Sequence, residues 1–426
     1  MTANRMVHLH WTHMEETKNV KLDQHHAPTF DRPGHFILVG PLPPPVNGHT
    51  LAFQLLVREW TRRQLPAQVI DYSRTFFDCS SSLARPVIRV IDYFFLFPSF
   101  LAAIRNAPGG TLYLTLNQAP SGVIRDILFI ELARRYKYRV IAHLHGGCYD
   151  QVLASLPRWV RTRAIRALSH CEPIILLSNR LRTMLRTFPT LTERAVVVPN
   201  GLPFDPPPDR GPKTLSQGQP VKFLYLSHFT ESKGWWEVLE TIEILARSRP
   251  WSLHLTMCGK FFRTPGEERR FASLEEARQA FQDFRQRLSQ QFGDRVQVTW
   301  HPMVQGQTKE QVLREAHFLL LPTRYPNEGQ PLVLIEGLAF GCVLLGPDYR
   351  ALGDMIRPGE SGCLVPPDPA AMAASLISLI DRPEEYHRLS RGALSLFHRE
   401  FSARRHLDAM VQILVGEDRT SDRTFP

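Results

Sequence analysis

No C-x-x-C pair or metal-finger spacing joins the six cysteines, Cys79, Cys148, Cys171, Cys258, Cys342 and Cys363. They read as isolated small apolar side chains in a reducing compartment. The first residues lack a basic-then-apolar leader pattern, so a cytoplasmic protein is expected. Also missing is the run of roughly 20 apolar residues that a membrane-spanning helix needs. The nearest is VIDYFFLFPSFLAAI (90–104), with Asp92 inside it, Pro98 in its middle and Arg85, Arg89 and Arg105 around it. It reads as a buried or half-buried helix, or as an interfacial segment whose arginines meet anionic lipid. The absence of G-x-G-x-x-G argues against dinucleotide oxidoreductase chemistry. No D-x-D pair stands out as a metal site, and basic residues are not interleaved with aromatics in a nucleic-acid-binding motif. No metal, cofactor or nucleic acid is therefore expected.

Proline and positive charge are plentiful. Several of the 34 prolines mark loops, as in GPLPPPVNG (40–48) and FDPPPDRGP (204–212). The net charge of +10 is uneven, with about twice as many Arg and Lys as Asp and Glu between residues 34 and 205. This first half reads either as a solvated basic surface or as one that meets something anionic, whether nucleic acid, an acidic membrane face or a phosphorylated acceptor, and charge alone does not choose among them.

At 426 residues the chain is long enough for two or three domains. Residues 1–33, rich in histidine and without period, read as a disordered arm. From residue 35, short aliphatic runs alternate with helical patterns. Strands are expected at HFILVG (35–40), TLYLTL (111–116), YRVIAHLH (138–145), PIILLS (173–178) and AVVVPN (195–200). Residues 206–220 read as a linker. A second alternation follows, with strands at KFLYLSH (222–228), SLHLTMCG (252–259), RVQVTWH (295–301), HFLLLPT (317–323) and CVLLG (342–346). The expected fold is α/β, with two doubly wound Rossmann-like domains, 34–205 and 221–399, facing a cleft. A last helix, about 400–415, returns to the first domain.

One stretch carries most of the chemistry: RYPNEGQPLVLIEGLAFGCVLL (324–345). Pro331 suits the first turn of a helix and Gly341 its end. The helix start beside Gly329 offers amides and a positive dipole end to an anion such as a diphosphate. Glu328 sits at the helix mouth and Glu336 further along it. Carboxylates so placed can accept hydrogen bonds from hydroxyls on either side of a diphosphate, the arrangement that a nucleotide sugar presents.

NEGQPLVLIEGLAFGCVLL resembles the E-x-x-x-x-x-x-x-E signature of family-4 retaining glycosyltransferases with the GT-B fold. The resemblance implies that Glu328 contacts donor-sugar hydroxyls near the reacting carbon and that Glu336 binds the nucleotide ribose. Gly329, Gln330, Pro331 and Leu332 complete that end of the donor site. LSHFTESKGWWEVLETIEIL is similar to the family's diphosphate-binding segment. Lys233 fits its phosphate-clamping lysine, and Ser227-His228 stands where the family has a Gly-Arg pair, so His228 is either a weaker substitute for the arginine or no phosphate ligand. HLHGGCYD (143–150) resembles the family's first-domain histidine loop. His145, next to Gly146, is the candidate to reach donor sugar or acceptor, and His143 is expected on the other face of the strand. VGPLPPPVNGHT resembles the family's first glycine-containing loop. There Gly40 is expected to permit the turn, and Gly48 to let backbone approach a ligand. VVVPNGLP and Ser178 match the end of the first domain, and Val304 belongs to the base-binding loop.

The expected activity is transfer of a hexose from a nucleotide sugar to a glycan or lipid-linked acceptor, with retention of anomeric configuration. Synthesis of bacterial surface polysaccharide or glycolipid would employ it, with peripheral contact to the anionic inner face of the plasma membrane. The alternatives are a GT-B enzyme that hydrolyses or epimerises a nucleotide sugar, and a non-catalytic basic binding module.

Overall fold

The computed structural model describes residues 35–73, 85–204, 206, 211–263 and 270–416, with backbone only for 85–94. The N-terminal segment expected as an arm lies outside the described residues. The first sheet contains β1 (Phe36–Gly40), β2 (Ala67–Asp71), β3 (Thr111–Thr115), β4 (Arg139–Leu144), β5 (Ile174–Leu176) and β6 (Ala195–Val197). Their order is β2-β1-β3-β4-β5-β6, and every pairing is parallel. Around it run α1 (Gly48–Arg62), α2 (Arg85–Asn106), α3 (Pro120–Arg135), α4 (Tyr149–Ser155), α5 (Arg158–Leu168) and the short α6 (Pro189–Thr192).

The second sheet contains β7 (Val221–Leu226), β8 (Leu253–Cys258), β9 (Val296–His301), β10 (Phe318–Leu320), β11 (Val343–Gly346) and β12 (Gly362–Leu364). Its order, β12-β11-β10-β7-β8-β9, is again wholly parallel. Counted from β7, this is the 3-2-1-4-5-6 order of dinucleotide-binding folds, with its reversal between β7 and β10. The helices are α7 (Trp235–Ser248), α8 (Leu274–Phe292), α9 (Gly306–Glu315), α10 (Leu332–Ala339), α11 (Leu352–Met355), α12 (Pro369–Ile380), α13 (Pro383–Leu396) and α14 (Ala403–Val415).

Central strands are aliphatic because helices cover both of their faces. On one face of the first sheet, Phe100, Ile127, Phe129 and Ala164 from α2, α3 and α5 share a core with Leu112, Leu114 and Val140. On the other, Phe53, Leu56 and Trp60 of α1 pack with Met410, Val411 and Leu414 of α14. The last helix thus completes the first lobe, held also by Arg63 to Asp408 at 2.9 Å and by His406 Nδ1 to the Pro199 carbonyl at 2.7 Å. Gly201 suits this crossing, since a Cβ there would stand 2.7 Å from the Cβ of His406. Residues 211–220 form no helix or strand, but the Lys213 N–H donates to Ser390 Oγ at 2.7 Å and ties the linker to α13.

Candidate active site

The site lies where the second sheet reverses order, beyond the carboxyl ends of β7 and β10, which is where such sheets hold ligands. After β7 the chain makes one tight turn, Glu231–Lys233, and enters α7 through Gly234. Gly234 has φ 75°, and a Cβ there would stand 2.5 Å from the Pro322 carbonyl oxygen. Only glycine meets both demands. The turn aims Lys233 at the loop after β10, where its ammonium pairs with the Glu328 carboxylate. Thr323 Oγ1 donates to the same carboxylate oxygen at 3.1 Å, and the Tyr325 ring centroid lies 4.7 Å from Lys233 Nζ. Glu328 is buried, so it is a held charge and not a solvated one.

Glu336 occupies the second turn of α10 and is 2% exposed. Lys309, in the first turns of α9, donates to it at 2.5 Å. Burial raises the pKa of this carboxyl, and the Lys309 charge and hydrogen bond act against that rise. Each of the two acids is therefore gripped by a lysine from a different element. Val304, just before α9, packs at the margin of the core beneath α10, as does Leu332. Pro331 is the cap that precedes α10, with ψ 117°, and does not sit in its first turn. Its carbonyl accepts the Leu334 N–H at 3.1 Å, so the helix proper starts at Leu332.

His228 is exposed, with its ring centroid 5.9 Å from that of Phe262. Partial covering of the imidazole, followed by the charges of Lys233 and Lys260, lowers its pKa. In the free protein it is a neutral group between two cations. Neither Lys260 nor Lys309 stands in a local pattern that marks it in the sequence.

The first lobe contributes His145, Gly146 and Gly147, which follow β4. A Cβ at Gly329 would collide with the His145 carbonyl, and one at Gly147 with the Glu328 carbonyl. The two glycine loops thus meet backbone to backbone. Across the same seam the Gly147 N–H donates to Asn327 Oδ1 at 3.2 Å, and the Asn200 N–H donates to Gln330 Oε1 at 2.7 Å. Ser178 binds Asp354, and Arg180 pairs with Asp348. Gly48 lies against Leu332 at ordinary contact distance, 3.6 Å from its would-be Cβ. Gly40 has no left-handed φ. Its need for glycine comes from packing, because a Cβ would stand 2.5–2.6 Å from Phe53 and Thr115.

His143 does not lie on the opposite face from His145. Residues two apart in a strand share a face, and the two ring centroids are 4.0 Å apart. His49 extends the stack, 4.6 Å from His145, and the Tyr113 hydroxyl meets His143 Nδ1 at 2.7 Å. The buried Nε2 atoms of His49, His143 and His145 have no hydrogen-bond partner among the described residues. Unpaired buried polar atoms call for an explanation, and a ligand is one. Among the described residues no group of three or more His, Cys, Asp or Glu is arranged to hold a metal.

Burial is the first cause holding His49, His143, His145 and His406 below the usual imidazole range, His49 and His406 at about 4. They are neutral in the fold at pH 7, whereas the unfolded chain takes up these protons near pH 6.5. Between those values the unfolded state binds more protons, so stability falls as pH falls. Thermal unfolding followed from pH 7 to 4.5 is expected to show a steadily declining midpoint. A flat profile would contradict the buried stack.

Residues 209–395 match the family model described as Glycosyl transferases group 1. The sucrose-phosphate synthase of Thermosynechococcus elongatus is similar in structure, at 15% identity and a TM-score of 0.64 over 89% of this chain and 98% of that one. Anabaena HepE, in complex with UDP and glucose, is similar at 12% identity and a TM-score of 0.60, over 90% and 100%. The lipopolysaccharide outer core galactosyltransferase WaaB is similar at 14% identity and 0.61, over 89% and 99%. No curated protein matches the chain. The family match covers less than half of the chain, and the likeness to the solved structures is one of fold. The fold is that of the GT-B enzymes, two Rossmann-like lobes, and the matched segment is the one that carries Lys233, Glu328 and Glu336.

Proposed function

We propose that the protein is a retaining glycosyltransferase of the family-4 type. It moves a hexose from a nucleotide sugar to a glycan or lipid-linked acceptor, in surface polysaccharide or glycolipid synthesis. The observation that carries this reading is the Lys233–Glu328 pair above the strand reversal, pressed against the His145 loop. A bound donor places its diphosphate at Lys233, which balances the charge that gathers on the leaving phosphate. Glu328 then turns to the hexose hydroxyls, and the amides at Gly329 and Gln330 and the start of α10 face the phosphates. Glu336 takes the ribose hydroxyls beside Lys309, and the backbone near Val304 meets the base.

The acceptor hydroxyl attacks the anomeric carbon from the face that the phosphate leaves, so configuration is kept, and a leaving-phosphate oxygen takes the proton. Such a step calls for positioning and charge balance more than for a protein nucleophile. A neutral His145 suits hydrogen bonding to a sugar hydroxyl. HepE has been solved with UDP-glucose, which supports a nucleotide sugar as donor. The mechanism engages no metal.

A thermal-shift screen of the full chain against UDP-, GDP- and ADP-sugars tests the proposal. One donor is expected to raise the melting midpoint with the logarithm of its concentration. A folded sample indifferent to all of them would refute it. Release of free sugar without an acceptor would favour the hydrolase alternative.

A further inference from the structure

The helices on the outer side of the first sheet combine two features that soluble surfaces usually keep apart. α3 packs between α2 and α5. On α3, Ile124 and Leu128 stand one turn apart and are about half exposed, at 47% and 48%. Phe95 on α2 is 50% exposed, and Trp159 on α5 is 73% exposed. One helical turn beyond Leu128 and Trp159, Glu131 binds Arg163 at 2.6 Å. In neighbouring helices that follow parallel strands, this places Leu128 and Trp159 at one level. α5 carries four arginines and no acid in its eleven residues. A surface groove brings Arg134 of α3 together with Arg158, Trp159, Arg163 and Arg166 of α5.

We infer that this face docks on an anionic lipid bilayer. Tryptophan and large aliphatic side chains gain by entering the headgroup boundary, while guanidinium groups pair with lipid phosphates. The charge of the face is complementary to such a surface. A nucleic acid fits less well, because Ile124 and Leu128 offer bases neither stacking nor hydrogen bonds. Among the described residues no helix is long and apolar enough to cross a membrane, so the contact is peripheral. Ile124 lies in the first half of α3, the half that starts at the carboxyl edge of the sheet, and Leu128 follows one turn later. The apolar part of the face therefore starts towards the edge where the site lies, and the arginines of the groove extend it away from that edge. Docking does not depend on the chemistry proposed above, although a lipid-linked acceptor would give it a purpose.

The test is co-sedimentation of the full chain with vesicles of phosphatidylglycerol and phosphatidylcholine, against pure phosphatidylcholine, at low salt. Binding is expected only to the anionic vesicles. Arg134→Glu with Arg158→Glu and Arg166→Glu should cut it at least tenfold, and Leu128→Ser with Trp159→Ser several-fold. Both variants should keep the wild-type melting midpoint and the response to nucleotide sugar, because their residues stand outside the donor site. Lipids with brominated chains should quench wild-type fluorescence more than that of Trp159→Phe, which remains informative if a multiple variant fails to fold. Absence of binding to anionic vesicles would overturn the inference, as would equal quenching in both proteins. A preference for short DNA, lost in the arginine variant and not competed by vesicles, would replace it with a nucleic-acid surface.

Discussion

Lys233→Ala is expected to lower the turnover of transfer by about a hundred- to a thousandfold, the effect of removing one preorganised group that stabilises developing charge. Because that charge grows as the glycosyl bond breaks, the loss should fall mainly on kcat, with a smaller change in KM. A second effect comes with it. Lys233 is the cation bound to the buried Glu328 carboxylate, and deleting one member of a buried pair costs about 3–5 kcal/mol. The variant should therefore melt earlier. Lys233→Met combined with Glu328→Gln separates the two effects, since no buried charge is stranded. Recovery of the melting midpoint without recovery of turnover is the expected pattern. Turnover returning with stability would show that Lys233 serves the fold alone.

Glu336→Ala is expected to abolish the thermal shift that the matching nucleotide sugar produces. A carboxylate accepting hydrogen bonds contributes about 1.5–3 kcal/mol per bond. Two ribose hydroxyls would thus carry about a hundredfold or more in affinity. The side chain is almost fully enclosed and held by Lys309, so it needs no ordering when a ligand arrives. The same experiment with the free nucleoside diphosphate decides where the residue acts. If Glu336 holds the ribose, the diphosphate loses its shift as well. If the diphosphate still binds and only the sugar conjugate fails, the acid serves the hexose end and the two glutamates must exchange roles.

The interior of both sheets is legible in the sequence, and their margins only in part. The eight inner strands are aliphatic runs, because burial on both faces leaves little room for other residue types, and the edge strands β6 and β9 still carry enough valine to be read. β2, with sequence AQVID, and β12, with GCL, are edge strands, short and half exposed, and no such run marks them. The site divides along similar lines. Glu328, Glu336 and Lys233 stand in local patterns that sequence displays. Lys309, Lys260 and Gln330's link to Asn200 depend on which elements meet in space, and nothing local announces them. His49 has no local mark in the sequence, because its meaning arises only from the rings of His145 and His143. The histidine loop is visible in the sequence, but His143 shares the face of His145 and does not oppose it, because residues two apart in a strand point the same way.

The crossing of α14 onto α1 bears on how the protein is made. The first sheet emerges from the ribosome early, but the side that α1 covers keeps Phe53, Leu56 and Trp60 incompletely shielded until Met410, Val411 and Leu414 arrive. The whole second lobe is synthesised in between. For that interval the nascent chain holds a sticky, half-dressed lobe, of the kind that folding helpers recognise and that associates with its own copies when left alone.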